Sequence, residues 1–204
     1  MLTLKELLIQ VDDFYQKLND PVYLNNVLNN HPKTFTKTVW SKDMAYSLSP
    51  LGLELLGFKG SKYLIKKPTN IKYLHEYKLV NDMIREVMIH DKVGSHIQTD
   101  YLYRDGNSVF ELSIDLVENH ADSLTAVVYQ DNRIVSSLRV NADKEFWYNE
   151  YIYVEDHIKE IATRQHNSDN GNYVGITEVD YIDHVVANVY HYHRGKKYNY
   201  YTYK

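Results

Sequence analysis

The chain contains no cysteine, which excludes thiolate metal sites, cysteine nucleophiles and disulfides and leads us to expect an intracellular protein. Proline is sparse: Pro21, Pro32, Pro50 and Pro68 all lie in the first third of the 204 residues. The long proline-free remainder suits a sheet-rich body, because a strand ladder loses a donor at each proline. No apolar run approaches the eighteen residues of a membrane-crossing helix. Asp12, Asp13 and Asp20 oppose a secretory signal in the first twenty residues. The expectation is a cytoplasmic protein with no membrane partner. Glycine-rich phosphate loops, G-x-S-x-G and H-E-x-x-H are also missing, so the common nucleotide, serine-hydrolase and zinc-protease classes have no support.

What is present is unevenly distributed. Lys33 to Lys67 holds seven lysines against Asp43 and Glu54, a balance of +5. Ile71 to His193 holds 10 basic and 21 acidic residues, a balance of −11. The tail adds Arg194, Lys196, Lys197 and Lys204 with no acid. A basic portion of this kind could meet phosphate, while the body is acidic. The division predicts a basic portion over 1–69 and an acidic α/β body over 70–204 ending in a tyrosine-rich hairpin.

Local patterns assign the elements. Thr3 and Glu6 form a capping box ahead of Leu4, Leu7, Leu8, Val11, Phe14, Tyr15 and Leu18, which recur at the helical period. Asp20-Pro21 starts a second helix. Residues 34–40 are strand-like and 45–48 could return as their partner, with a short helix over LGLELLG. Leu74, Tyr77, Val80, Ile84, Val87 and Met88 suggest a long helix over 71–90. Trp147, Tyr151, Val154, Ile158 and Ile161 suggest another over 143–164. Between them 96–103, 108–117, 123–130 and 133–140 read as strands, with Asp131-Asn132 as a hairpin turn and a last turn at Arg194-Gly195-Lys196. The fold class expected is α+β: a winged-helix-like N-terminal portion, then a mixed or antiparallel sheet with two long helices.

Two helices, a basic hairpin and a short helix follow the order of a winged helix-turn-helix. Tyr46, Leu48, Ser49, Gly52, Leu55 and Leu56 are similar to the Y-x-L-T-x-x-G-x-x-L-L stretch after the wing in the replication-relaxation family of plasmid and phage proteins. The run Leu74-His75-Glu76-Tyr77-Lys78-Leu79-Val80-Asn81-Asp82 resembles that family's L-x-H-x-x-x-V-N-D. The resemblance touches roughly residues 34–160. It implies double-stranded DNA as partner and a nuclease-like second domain. Asp115 or Asp122 could supply that domain's first acid, but Ser136-Ser137-Leu138-Arg139 lacks the second, so the expectation is a non-enzyme without cofactor. Lys33, Lys37, Lys42, Lys59, Lys62, Lys66 and Lys67 would contact phosphate, with Thr34, Thr36 and Asn29 near base edges. Glu111, Asp115 and Glu118 read as a solvated face.

Two further readings stand beside this one. The acidic body could imitate DNA in a phage inhibitor of a host defence or nuclease complex. Tyr190, Tyr192, Tyr198, Tyr200, Tyr201 and Tyr203 could form a homodimer contact, since tyrosine is favoured at interfaces. His191 and His193 share a strand face near His184, but no spacing to a further ligand supports a metal.

Overall fold

A computed structural model describes residues 2–203 and corrects the expected fold class. The chain is a twelve-stranded antiparallel sheet in which every strand neighbours the next in sequence. Three helices accompany it: α1 (Leu4–Leu18), α2 (Pro21–Asn30) and the short α3 (Gly52–Leu55). The strands are β1 (Lys37–Ser41), β2 (His75–Val80), β3 (Met83–His90), β4 (His96–Asp105), β5 (Ser108–Asp115), β6 (His120–Gln130), β7 (Arg133–Asn141), β8 (Phe146–Val154), β9 (His157–Asn167), β10 (Gly171–Ile182), β11 (Val185–His193) and β12 (Lys196–Thr202). The two long helices expected over 71–90 and 143–164 are the hairpins β2–β3 and β8–β9. The winged helix is also absent, because β1 pairs with β2 rather than with 45–48.

The difference has a physical cause. Asn81-Asp82 is a two-residue turn with both φ positive, 51° and 60°. Such a turn matches the twist of the flanking strands. Crossing it shifts the phase of the apolar alternation, so Leu74, Tyr77, Val80, Ile84, Val87 and Met88 mimic a helical period. Asp131-Asn132, Asp183-His184 and Arg194-Gly195 take the same conformation. Tight turns begin at 81, 106, 131, 155 and 183, so a two-strand unit recurs about every 25 residues.

The sheet curls. Register shifts fall at Lys78/Leu79, Val128/Tyr129, Ile152/Tyr153 and Asp180/Tyr181, each just before a tight turn. Bulges bend and twist a strand, and repeating one in four of the five units bends the sheet consistently. Flat, eleven steps of about 4.8 Å would separate β1 and β12 by about 53 Å. Instead the backbone at Gly57 is so near Tyr200 of β12 that an added Cβ would lie 3.0 Å from its carbonyl oxygen. Ser61 N–H, four residues on, donates at 3.0 Å to the carbonyl of Met44, which closely follows β1. Four residues reach about 14 Å at most. The two edges therefore approach each other, bridged by a strap over residues 42–66.

Each face has its own cover. On the outer face, Leu7, Val11, Phe14 and Leu18 of α1 pack on Leu112, Leu124, Ala126, Leu138, Val140, Phe146 and Tyr148. On the inner face the strap inserts Leu48 against Val39, Tyr77, Val87, Leu102 and Val127. Its Leu51 and Leu55 meet Tyr151, Ile161, Val179 and Val189 further along. No described helix is long and apolar enough to cross a membrane.

Candidate functional site

Between strap and sheet lies a cavity of about 450 Å³. Its floor comes from alternate residues of adjacent strands. One cross-strand row reads Tyr77, Val87, Asp100, Ser113, Ser123. The next reads Leu102, Glu111, Thr125, Arg139, Trp147. A third places Val127 beside Ser137 and Asn149. Met44, Tyr46, Ser47, Leu48, Ser49 and the residues of α3 form the roof, and His75 stands at one side.

The strap is pinned at both ends of this cavity. The Tyr77 hydroxyl accepts from Ala45 N–H at 3.0 Å and from the Ser41 hydroxyl at 3.3 Å. The Tyr151 hydroxyl shares a 2.8 Å hydrogen bond with Ser137, and the strap's Leu51 packs on the cluster that holds Tyr151.

The floor is unusual in chemistry rather than shape. The outer face of β5–β8 is covered by α1 and the inner face by the strap, an environment that favours aliphatic residues on both sides. Inward positions nevertheless carry Ser113, Ser123, Thr125 and Ser137, all buried. Beside them Asp100 is only 9 % exposed. Burying polar groups is unfavourable unless they are hydrogen-bonded. Gln98 donates to Asp100 at 2.7 Å, and Ser113 bonds it too. Arg139 donates to Ser123 at 3.3 Å and pairs with Asp122 at 3.6 Å.

Asp100 and Glu111 are diagonal neighbours on adjacent strands, close enough for long side chains to interact. Desolvation, reinforced by the Asp100 charge and opposed by Arg139, pushes the Glu111 carboxyl up to about 8. Desolvation also raises Asp100, against the hydrogen bonds from Gln98 and Ser113. Near neutral pH Glu111 is therefore mainly a protonated acid that can donate as well as accept. His75 is held below its ordinary value by burial, and its buried Nδ1 has no partner among the described residues. Arg139 lies 5.7 Å from the Trp147 ring, fixing that indole at the edge of the cavity.

Glu111 is thus half-buried in the cavity lining rather than on a solvated face. Asp115 sits apart, accepting from the N–H groups of Val117 (2.7 Å) and Glu118 (2.9 Å) at a turn. Asp122 faces Arg139. The structure does not bring Asp115 or Glu118 to the cavity.

The lysines lie elsewhere. Lys33, Lys37, Lys42, Lys59, Lys62, Lys66 and Lys67 are all exposed on β1 and its flanks or on the return limb of the strap. Lys37 approaches Asp82 (3.7 Å), Lys67 approaches Glu76 (3.5 Å), and Lys59 lies 4.6 Å over Tyr203. Asn29 and Thr34 are exposed, whereas Thr36 is engaged by Leu79 O and Asn81 N–H.

The C-terminal tyrosines divide. Tyr190 is buried beneath Lys197, 3.3 Å from the ring, and bonds Glu178 and Asp180. Tyr201 packs on the inner core. Tyr192, Tyr198, Tyr200 and Tyr203 are exposed. His191 stacks on Tyr198, whereas His184 meets His157 at 3.1 Å. No group of three metal-ligating side chains occurs among the described residues.

No family model, curated protein or solved structure matches this chain. The functional reading therefore rests on the site alone.

Proposed function

We propose that the protein is a binding module that holds a polar molecule in the cavity beneath the strap. One observation carries this: inward positions of the doubly covered strands β5–β8, and of β4 beside them, present hydroxyls, an amide and two carboxyls where aliphatic packing would be more stable. Closed and curled sheets of this size enclose interior space, and polar groups there select a ligand. Arg139, the guanidinium at the cavity, is already paired with Asp122, which disfavours an anion as the ligand. The roof is a strap rather than a strand, so it can lift without breaking the strand ladders.

Trp147 provides the readout, with Trp40 the second of two tryptophans. A pool of small polar metabolites is expected to contain a compound that changes Trp147 emission and raises the melting temperature. At a hundredfold excess over Kd, stabilisation is about 2.7 kcal/mol, a rise of roughly 5–10 °C for a chain of this size. Thr125→Leu fills the floor with methyl groups. It should abolish the response while leaving the melting temperature within a few degrees of the parent. Undiminished binding in that variant would remove the cavity from consideration.

A second reading is favoured by the clustered lysines of the strap. Lys42, Lys62 and Lys66 have no ion-pair partner among the described residues, which leaves them available to phosphate. On this reading the protein is a DNA-binding accessory of a mobile element that uses backbone contacts only. Anisotropy of a labelled duplex should then fall steeply between about 50 and 200 mM salt. Reversing Lys42, Lys62 and Lys66 to Glu should abolish it. Absence of binding at the lower salt rejects this reading without touching the cavity.

A further inference from the structure

We propose, resting on the cavity reading above, that the ligand is a neutral carbohydrate chain, with one end under the strap and following units along an aromatic path from Trp147 to Tyr173 and Tyr200. The row containing Glu111, Thr125, Arg139 and Trp147 does not stop at the cavity edge. Trp147 pairs with Gln165 on β9, and Gln165 pairs with Tyr173 on β10. Two strand spacings place Trp147 and Tyr173 about 10 Å apart, with an amide between them.

A glycine leaves room for the Tyr173 ring to lie flat. A Cβ on Gly175 would overlap the Tyr173 ring, lying 2.8 Å from its Cε1, so only glycine lets the ring lie along β10. Gly175 does not have a positive φ, so close approach is its role there. Tyr173 and Thr177 are the side chains beside the Tyr200 hydroxyl, which burial pushes up. His191 lies against Tyr200, with centroids 4.9 Å apart, and its buried Nδ1 lacks a partner among the described residues. Thr177 and His191 are register partners, so these rings share the inner face with Trp147.

The chemistry on this path is paired. Flat aromatic faces offer apolar contact, while carboxyls, amides and hydroxyls beside them both accept and donate. A sugar ring has the same duality, with C–H faces and a rim of hydroxyls. Asp100 and Glu111 can each bond sugar hydroxyls, and Asn149 and Gln165 supply amides. A cation would satisfy the carboxyls but would leave the amide and aromatic row beyond the cavity unused. An acidic sugar would find the cavity's guanidinium already paired with Asp122. A neutral chain uses every feature.

The test is calorimetry on the full chain with cellohexaose, chitohexaose and maltohexaose and with their monosaccharides. One hexamer is expected to bind at least tenfold more tightly than its monosaccharide. Tyr173→Ala and Gly175→Val should each weaken that hexamer at least fivefold and leave the monosaccharide affinity unchanged. Thermal melts of both variants confirm folding, and Tyr173→Ala, which adds no bulk, carries the test if Gly175→Val does not fold. A hexamer that gains nothing over its monosaccharide, or that Tyr173→Ala leaves unaffected, overturns the inference. If no saccharide binds but another polar compound does, and Thr125→Leu removes it, the carbohydrate inference fails while the cavity reading stands. If nothing binds and Thr125→Leu changes no response, both fail.

Discussion

Glu111→Gln is expected to be more stable than the parent at pH 8, by about 2–4 kcal/mol, and within about 1 kcal/mol of it at pH 4. The ordinary value for this carboxyl is 4.5, and in the folded chain it is pushed up to about 8. Between those values the unfolded chain has released the Glu111 proton and the folded chain still holds it. Stability therefore falls as pH rises from about 4.5 to about 8 and levels off above. The causes are desolvation first, then the Asp100 charge, with Arg139 opposing both. A tenfold difference in proton affinity between the folded and unfolded chain corresponds to about 1.4 kcal/mol. The expectation is set below the full product because Glu111 is itself only half-buried, so solvent screens part of the effect. Glutamine keeps a donor and an acceptor in nearly the same place but cannot ionise, so the part of the slope that Glu111 sets should disappear and only that of Asp100 should remain. Melting temperatures at pH 4, 6 and 8 decide it, with about 5–10 °C gained at pH 8. Equal losses at all three values would show a carboxylate held by Arg139, and would reverse the electrostatic description of the cavity.

The parts of this fold that are legible in the sequence are those with one strongly apolar face or an unmistakable start signal. The Thr3–Glu6 capping box and Asp20-Pro21 mark α1 and α2, and the caps form as expected. β4 to β7 alternate cleanly because α1 imposes one apolar face, and the turn at Asp131-Asn132 closes β6 on β7. The hairpins β2–β3 and β8–β9 read as helices because Asn81-Asp82 and Glu155-Asp156 lie within runs whose apolar residues happen to recur at three and four. The β-branched and aromatic content of Phe146 to Val154 is the competing signal, and it is the better guide. The cavity is barely legible. Asp100, Glu111, Arg139 and Trp147 are separated by long stretches of chain and meet only through the strand register. One local clue exists: Ser123, Thr125 and Ser137 alternate with Leu124, Ala126 and Leu138 in strands too apolar to have a solvent face. The curl, set by bulges just before the turns, leaves no trace in composition.

Leu7→Ala is expected to lower the unfolding free energy by about 2–5 kcal/mol, and Leu8→Ala by no more than about 0.5 kcal/mol. Both leucines fit the helical period of α1, and the sequence treats them alike. The structure separates them: Leu7 is fully buried against β5–β8, whereas Leu8 is 45 % exposed. Truncating Leu7 removes transfer energy and leaves a void between a helix and a sheet that cannot both close on it. The same pair of variants tests the architecture. In the curled-sheet fold, α1 is the outer cover of the central strands, so Leu7→Ala should shift one cooperative transition by roughly 5–15 °C with the denaturant slope unchanged. An N-terminal portion that folds by itself would instead show two transitions, with only the first displaced. α1 lies on the outer face and the cavity on the inner. Ligand affinity measured well below the melting temperature should therefore be the same in Leu7→Ala and in the parent. A loss of affinity would mean that the two faces are coupled through the small residues between them, Thr125 and Ala126 of β6.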